Sequence, residues 1–543
     1  MTMHRHPVSL SLCLGSGFLA LALGLPLTAA AQQPQPGVPA ATGAQTRFAI
    51  SGYELSGDIP LSEAETAQIL APYLGPQSTL ATLQQATAAL ESALRQRGYT
   101  LHRVALPAQE LGGKVRLSVV RFVIGKVVVQ GAAQYSQANI RASLPELQEG
   151  GTPNFQTLAV QTAIANESPA KQVQVTVKES EDADKIDATV QVKEARPWNL
   201  TLNLANTGNN ATGNDRITLA FSHANLMDAD HQMSAAYTTS AERSDAVRQL
   251  GLSYRVPLYR QGAVLALGYT SSDVVGNFGS FTSTGAGQTF QASLSLYQAP
   301  QGGLRRFWTV GLDDKTFQAT RLNGAAVPGQ VDRNSRPLSV GLALRRESDS
   351  AVWSADAQWA LNIPGGPGNA LAAYQVEDQR ITTVSWQALR GNLSYLAPLP
   401  GGWLWNARAQ WQYSPDALIA GEQFGLGGAG SVRGTADRVI SGDSGLGLTL
   451  EVSSHELAPG LRAHAFVDGG VLASNHTAAS TALKMASDQL ASAGVGLRYG
   501  SAHLQWALEW GQVVTAATQP PGGNASLPRL HDEKFHLSLT ARF

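Results

Sequence analysis

Past its amino-terminal segment, this 543-residue sequence has no uninterrupted apolar run approaching the roughly 20 residues that a membrane-crossing helix needs. A bundle of membrane helices is thereby excluded. Cysteine is nearly absent, Cys13 being the one example, so no disulfide framework and no paired-cysteine zinc site can form. Charged residues make up only 15%, and 39 basic side chains balance 40 acidic ones, so no field draws nucleic acid or acidic partners. There is no basic patch interleaved with aromatics either, which argues against nucleic-acid binding. None of the 11 histidines belongs to an H-E-x-x-H arrangement, and neither a metal site nor a cofactor is indicated. One kind of membrane protein remains open. A transmembrane barrel is built from strands of about 10 residues, apolar on one face and polar on the other, and its mean hydropathy stays near zero.

Residues 1–31 read as an export signal: His4, Arg5 and His6, then the apolar run Val8 to Leu25, then Ala29-Ala30-Ala31 as a small-residue cleavage site. A membrane anchor fits less well, because the run is interrupted by glycine and closes on Pro26 and small residues. Cys13 falls inside this segment behind Leu12, which is not a lipoprotein pattern, and the exported chain then carries no cysteine. Residues 32–46, rich in Pro, Gln and Gly, read as a linker.

From Phe48 the pattern is strand, helix, helix, strand, strand. Ser62 with Glu65 forms a capping box for a helix over 63–74; Leu80, Leu83, Ala86, Leu90 and Leu94 recur at helical spacing up to Gly98; 101–106 and 115–119 alternate as strands. The order repeats from Phe122, with a strand over 122–129, helices over 137–147 and 155–165, and strands over 173–177 and 186–192. Pattern alone is equally compatible with a generic α+β domain. Wording adds to it: in RGYTLHRVALPAQELGGKVRLSVVRFVIGKVVVQG, residues 97–131, Gly98-Tyr99, Pro107, Gln109 and Gly131 resemble the junction of two POTRA domains. Two tandem domains, 47–121 and 122–196, are implied. Domains of this kind offer sheet edges to which an extended client can add a strand.

From Trp198 helical periodicity gives way to alternation that runs to the last residue. Trp403, Trp405, Ala407, Ala409, Trp411 and Tyr413 share one face, opposite Leu404, Asn406, Arg408, Gln410 and Gln412. Aromatics at both ends of an apolar face make an interfacial girdle. Leu504 to Trp510 and Phe535 to Phe543 repeat the design, with Glu509 and His536 on the polar faces. A soluble sandwich alternates too, but the aromatic ends, the persistence over 197–543 and the terminal Phe543 favour a transmembrane barrel. The ending resembles the assembly signal of outer-membrane barrels.

Within that region, Glu422 to Gly470 holds two pieces of one constellation. Val432-Arg433-Gly434 is a cation in glycine-rich loop sequence; Phe466-Val467-Asp468-Gly469-Gly470 ends a strand on an acid. Leu461, Ala463, Ala465 and Val467 form the apolar face, so Asp468 points to the lumen, as does Glu451 between Leu450 and Val452. Either carboxylate can accept the Arg433 fork if the loop folds inward. Two other motifs mislead. Gly425 to Gly430 fits G-x-G-x-x-G, but no βαβ unit surrounds it. Gly442-Asp443-Ser444-Gly445 looks like a protease nucleophile segment, but no partner histidine accompanies it, and an Asp-Ser-Gly turn between strands explains it.

EQFGLGG, SVRG and FVDGG, with Asn206-Thr207-Gly208 and Tyr254-Arg255-Val256-Pro257, resemble motifs of the outer-membrane transporters of two-partner secretion, the haemolysin secretion/activation type of the BamA-like superfamily. The resemblance covers roughly 47–543. It implies two POTRA domains followed by a 16-stranded antiparallel transmembrane barrel with a loop folded inward near 422–445. Val432, Arg433 and Gly434 would form the pore-loop latch, and Phe466, Asp468 and Gly470 its partner motif on the barrel wall, with Glu451 a possible second acceptor. Thr435 replaces an aromatic of the family, so a less firmly packed loop tip is expected. A long plug helix before residue 47 is not expected. The implied function is passage of one large unfolded exoprotein across the outer membrane, with no catalytic residues. The expected partners are that secreted client, captured by the POTRA domains, outer-membrane lipids, and the barrel-assembly machinery during insertion, and the chain is expected to act as a monomer. The alternative is a barrel-assembly insertase of the same superfamily, against which two amino-terminal domains, rather than a longer array, argue.

Overall fold

A computed structural model describes residues 47–543, apart from 111–112, 210–211, 275, 279, 284, 320, 323–324, 327–328, 480–483 and 519–526. The expected export signal, with Cys13, and the linker lie outside the described residues.

The first domain contains β1 (Phe48–Gly57), α1 (Glu63–Leu70), β2 (Gly75–Ser78), α2 (Leu80–Gln96), β3 (His102–Ala105) and β4 (Gly113–Arg121), with sheet order β2-β1-β4-β3. Ser62 caps α1: its hydroxyl oxygen accepts from the Glu65 amide, and the Glu65 carboxylate accepts from the Ser62 amide. Leu83, Ala86 and Leu90, one stripe of α2, are fully buried, as are Val115 and Leu117 on β4. Pro72 shortens the first helix, whose last turn tightens to 3₁₀ over Ala71–Tyr73, and β2 is an addition that alternation did not signal.

The second domain repeats the plan with β5 (Val123–Gln130), α3 (Gln137–Ser143), α4 (Phe155–Ala165), β6 (Lys171–Glu179) and β7 (Lys185–Glu194), in the order β5-β7-β6. Helix α3 stops at Ser143 rather than near 147, because Pro145 disfavours helical geometry at Leu144. Ile124, Ile140, Leu144, Leu158, Val173 and Val190 pack its core.

Sixteen antiparallel strands then close a barrel. They are β8 (Trp198–Ala205), β9 (Arg216–Leu226), β10 (His231–Thr239), β11 (Gln249–Leu258), β12 (Ala263–Ser272), β13 (Gly287–Gln301), β14 (Leu304–Phe317), β15 (Arg333–Ser335 with Pro337–Glu347), β16 (Val352–Asn362), β17 (Gln387–Leu399), β18 (Trp403–Tyr413), β19 (Ser444–Ser453), β20 (Leu461–Ala473), β21 (Ser487–Gly500), β22 (Leu504–Thr515) and β23 (Glu533–Arg542). Closure removes the free edges that an open sheet would present. β15 breaks at Arg336, whose amide donates to the Asn362 side chain instead of the ladder. The seam joins β23 to β8 over Thr201 to Ala205, and the Asn206 side chain extends it by donating to the Phe535 carbonyl and accepting from the Leu537 amide.

Alternation sorts the faces as read. Tyr413, Val467, Leu508, Phe535 and Leu537 are exposed on the outside, whereas Gln412, Asp468, Glu509 and His536 on the same strands are buried inside. Among the described residues no helix is long and apolar enough to cross a membrane. Phe543 keeps its ring exposed while its amide donates to the Leu200 carbonyl and its carbonyl accepts from Arg196.

The second domain sits on barrel turns. Val160 and Ile164 of α4 pack on Val264, and Arg255 of β11 pairs with Glu167. Lys171 Nζ donates to Asp230 Oδ2 at 2.5 Å and to Asn139 Oδ1 at 3.0 Å, and the Tyr259 hydroxyl donates to the same Asp230 oxygen at 2.6 Å.

Candidate functional site

The long connection between β18 and β19, residues 414–443, folds into the lumen. A hairpin, Phe424–Leu426 paired with Ile440–Gly442, stiffens its two limbs. Gly425 to Gly430 therefore begin in a hairpin and continue as loop, and open no helix. Leu426 and Val432 bury against Leu472, Leu490 and Val513, which turns the tip toward β20 to β22.

Ladder register explains what the tip meets. Glu451 lies opposite Phe466, Phe466 opposite Gly494, and Gly494 opposite Gly511; one pleat away run His464, Gly496, Glu509 and His536. Two neighbouring glycines leave a hollow in the wall. The Phe466 ring fills one side, since a Cβ on Gly494 would stand 2.4 Å from its Cζ. The loop backbone fills the other: a Cβ on Gly511 would stand 2.8 Å from the Gly434 nitrogen, and one on Gly434 would stand 2.6 Å from the Gly511 carbonyl oxygen. Gly434 also has φ of +89°, a conformation other residues adopt only with strain. Its amide donates to His536 Nε2 at 2.9 Å.

Arg433 is 1% exposed and Asp468 is 0% exposed. Arg433 Nε donates to Asp468 Oδ2 at 2.8 Å and Nη2 to Oδ1 at 3.0 Å, the bidentate fork; the Arg433 amide adds a third bond to Oδ2 at 3.1 Å. Nη1 donates to Glu451 Oε2 at 2.9 Å and Glu509 Oε1 at 3.2 Å. The guanidinium carbon lies 3.4 Å from the Phe466 ring centroid, a cation–π contact. Arg498 bridges Glu451 and Glu509, and His464 Nε2 lies 3.0 Å from Glu509 Oε1. Thus three buried acids share a sealed guanidinium group, that of Arg433, a half-exposed one, that of Arg498, and a buried histidine. Glu451, His464 and Glu509 bring ligand atoms close enough to surround a cation, but Arg433 and Arg498 supply the positive charge there.

The residues singled out from sequence converge: Val432, Arg433 and Gly434 meet Phe466 and Asp468. Gly470 makes room for the hairpin, since a Cβ there would stand 2.7 Å from Leu426. Glu451 does not compete with Asp468 but binds the third nitrogen of the same fork. Thr435, where a less firmly packed tip is expected, is buried, and its hydroxyl donates to the Val432 carbonyl at 2.7 Å and accepts from the Gly428 amide at 3.1 Å. Glu509, His464, His536 and Arg498 went unassigned. Parity puts Glu509 and His536 on polar faces, but only register shows that they meet.

Asp443, from the protease-like segment, is a fully buried acceptor at the loop root, bound by Arg380 Nη1 at 2.8 Å and by the amides of Leu418 and Asn475. Ser444 begins β19, and its hydroxyl donates to the Ser414 carbonyl. The bend between the strands is Asp443 alone, shorter than the expected Asp-Ser-Gly turn, because Ser444 and Gly445 already pair with Ala473 and Leu472.

Comparison with known proteins bears on the family and the fold. Residues 48–121 match the family model of the ShlB-type POTRA domain. The outer membrane transporter CdiB of Escherichia coli is 25% identical over 447 residues, which cover 79% of this chain and 73% of that protein. CdiB of Dickeya dadantii is 23% identical over 396 residues, 71% and 68% of the two chains. Among solved structures, CdiB from Escherichia coli has the same fold at a TM-score of 0.69, with 21% identity over 94% of this chain and 93% of that one. CdiB from Acinetobacter baumannii follows at 0.66, with 17% identity over 92% and 90%. The family model of the haemolysin secretion/activation protein ShlB/FhaC/HecB matches residues 184–499, more than half of the sequence, and the chain belongs to that family, the outer-membrane transporters of two-partner secretion.

Proposed function

We propose that this transporter passes one large exoprotein, of haemolysin, adhesin or contact-toxin type, from periplasm to cell surface as an unfolded chain, and that Arg433 and Asp468 form the latch that sets the pore's conformation. The observation that carries this reading is the bidentate Arg433–Asp468 pair buried inside a closed barrel. A barrel needs no such loop for its own closure. Capture of the client would fall to the POTRA domains. In the second, β6 is an edge strand of its sheet, and between it and α4 lies a groove of about 780 Å³ lined by Phe155, Leu158, Val173 and Val175. An extended segment added to that edge gains main-chain hydrogen bonds and a place for alternate apolar side chains. No cofactor or enzymatic step enters the reading; folding of the client outside would prevent its return. The chain would act as a monomer, surrounded by outer-membrane lipids, after insertion by the barrel-assembly machinery.

The test compares the medium and surface proteome of the native host with and without this chain. Loss of one large exoprotein is expected. Loss of many barrel proteins instead would replace this reading with an insertase.

A further inference from the structure

The inward loop has a second ionic fixture, of opposite polarity, near its root. At the tip the loop brings the cation and the wall the acids. At Glu422 the loop brings the acid. The Glu422 carboxylate accepts from Ser335 Oγ at 2.7 Å and from Arg390 Nη2 at 2.9 Å, and lies 3.1 Å from Lys315 Nζ. Its carbonyl oxygen accepts from Arg390 Nη2 at 3.1 Å and Gln412 Nε2 at 3.0 Å. Lys315, Ser335 and Arg390 belong to β14, β15 and β17, whereas the tip binds β19 to β23, so the loop spans the lumen between two stretches of wall.

The two fixtures differ in what can reach them. Arg433 and Asp468 are sealed. The side chains of Lys315 and Arg390 are 16% and 26% exposed, and both line a cavity of about 480 Å³ beside Gln423, Phe424 and Arg438. Water and a passing peptide can therefore contact the cations that hold Glu422, and a carboxylate of that peptide can replace it on them. No such exchange is open to Arg433, whose departure would strand Asp468 without a counter-charge. Of the other acids near the root, Asp443 is bound by Leu418 of the loop itself and by Arg380 and Asn475 on two connections between barrel strands, and Asp416 accepts the Gln387 amide with no cation among the described residues. Asp443 thus ties loop to loop and leaves Glu422 as the ionic hold on the wall near the root.

We propose that Glu422 is the release point of the pore loop: the lumen opens when Glu422 parts from Lys315, Arg390 and Ser335, while Arg433 remains on Asp468. This rests on the transporter reading, but its test needs no client. The full-length protein is placed in planar lipid bilayers with potassium chloride as the permeant probe. Glu422→Gln keeps the side-chain shape and removes the charge, and a several-fold rise in mean conductance is expected, as is a rise with Lys315→Gln. A role in folding alone would lower the yield of heat-modifiable barrel and leave the conductance of the assembled fraction unmoved. The second variant replaces Glu422 and Ser335 with cysteine, in a sequence whose one natural cysteine is Cys13. A short bifunctional linker reaches these two buried thiols only when the loop lifts; once it bridges them it should hold the channel at its lowest conductance, and cleaving the linker should restore opening. A bridged channel that opens as often as the unbridged one overturns the proposal, as does unchanged conductance in Glu422→Gln. If instead no exoprotein depends on the chain, the transporter reading fails while these conductances stand.

Discussion

The fork of Arg433 is matched nitrogen by nitrogen: Nε and Nη2 to one carboxylate, Nη1 to two others. A lysine ammonium is a point charge without that planar geometry, so it can satisfy one acceptor well but not this array. Arg433→Lys should therefore impair secretion, and Arg433→Ala or Asp468→Ala should cut it strongly. Removing one partner of a buried pair costs about 3–5 kcal/mol, which loosens the loop, while the ladders of sixteen strands keep the barrel. The check is a pair of measurements on each variant: heat-modifiable electrophoretic mobility for the barrel and exoprotein in the medium for transport. Full secretion by Arg433→Ala would remove the latch from the mechanism. At this scale Asp468 and Glu451 were legible, because period-two alternation assigns each side chain a face. Glu509, 76 residues from Arg433, was not, because alternation does not say which strands close around a loop.

At the scale of elements, the latch depends on a hollow that the polar side chains do not announce. Gly494 and Gly511 face each other across β21 and β22. The pair reads in sequence as two ordinary strand glycines. Only the register reveals that Phe466 occupies one and the Arg433–Gly434 backbone the other. Gly511→Ala should displace the tip as effectively as Gly434→Ala, since each added methyl meets backbone atoms below 3 Å and β22 cannot yield without breaking ladder bonds, so the loop must move. Val432, 1% exposed, offers the probe: Val432→Cys should resist a maleimide reagent in the parent and react rapidly beside Gly511→Ala. Equal, slow labelling in both would mean that the tip tolerates the methyl. The elements themselves were mostly readable. The Ser62 capping box and the leucine stripe of α2 carry their own local signals, whereas the four-residue β2 and the early end of α3 are set by sheet pairing and by Pro145.

At the scale of the whole molecule, a buried polar joint between the second domain and the barrel turns decides whether that domain and the barrel act as one piece. Lys171 and Asp230 are 59 residues apart, and each reads in sequence as an ordinary strand-end or turn residue. Burial pushes the Lys171 ammonium below its usual range even beside Asp230, so the charge is held there at a cost. Such a pair fixes position more than it stabilises: replacing both partners by neutral groups is often tolerated, whereas removing one leaves the other exposed to the full penalty. Lys171→Met should therefore weaken the joint by about 3–5 kcal/mol, and limited proteolysis should release the barrel from the second domain at much lower protease concentration than in the parent. Asp230 has φ of +58°, so its neutral replacement should be asparagine, which tolerates that backbone and can still accept the Tyr259 hydroxyl. Lys171→Met/Asp230→Asn should then regain most of the parental resistance. A double variant as labile as the single one would show that the ion pair itself, rather than the stranded Asp230 charge, governs how the second domain is seated.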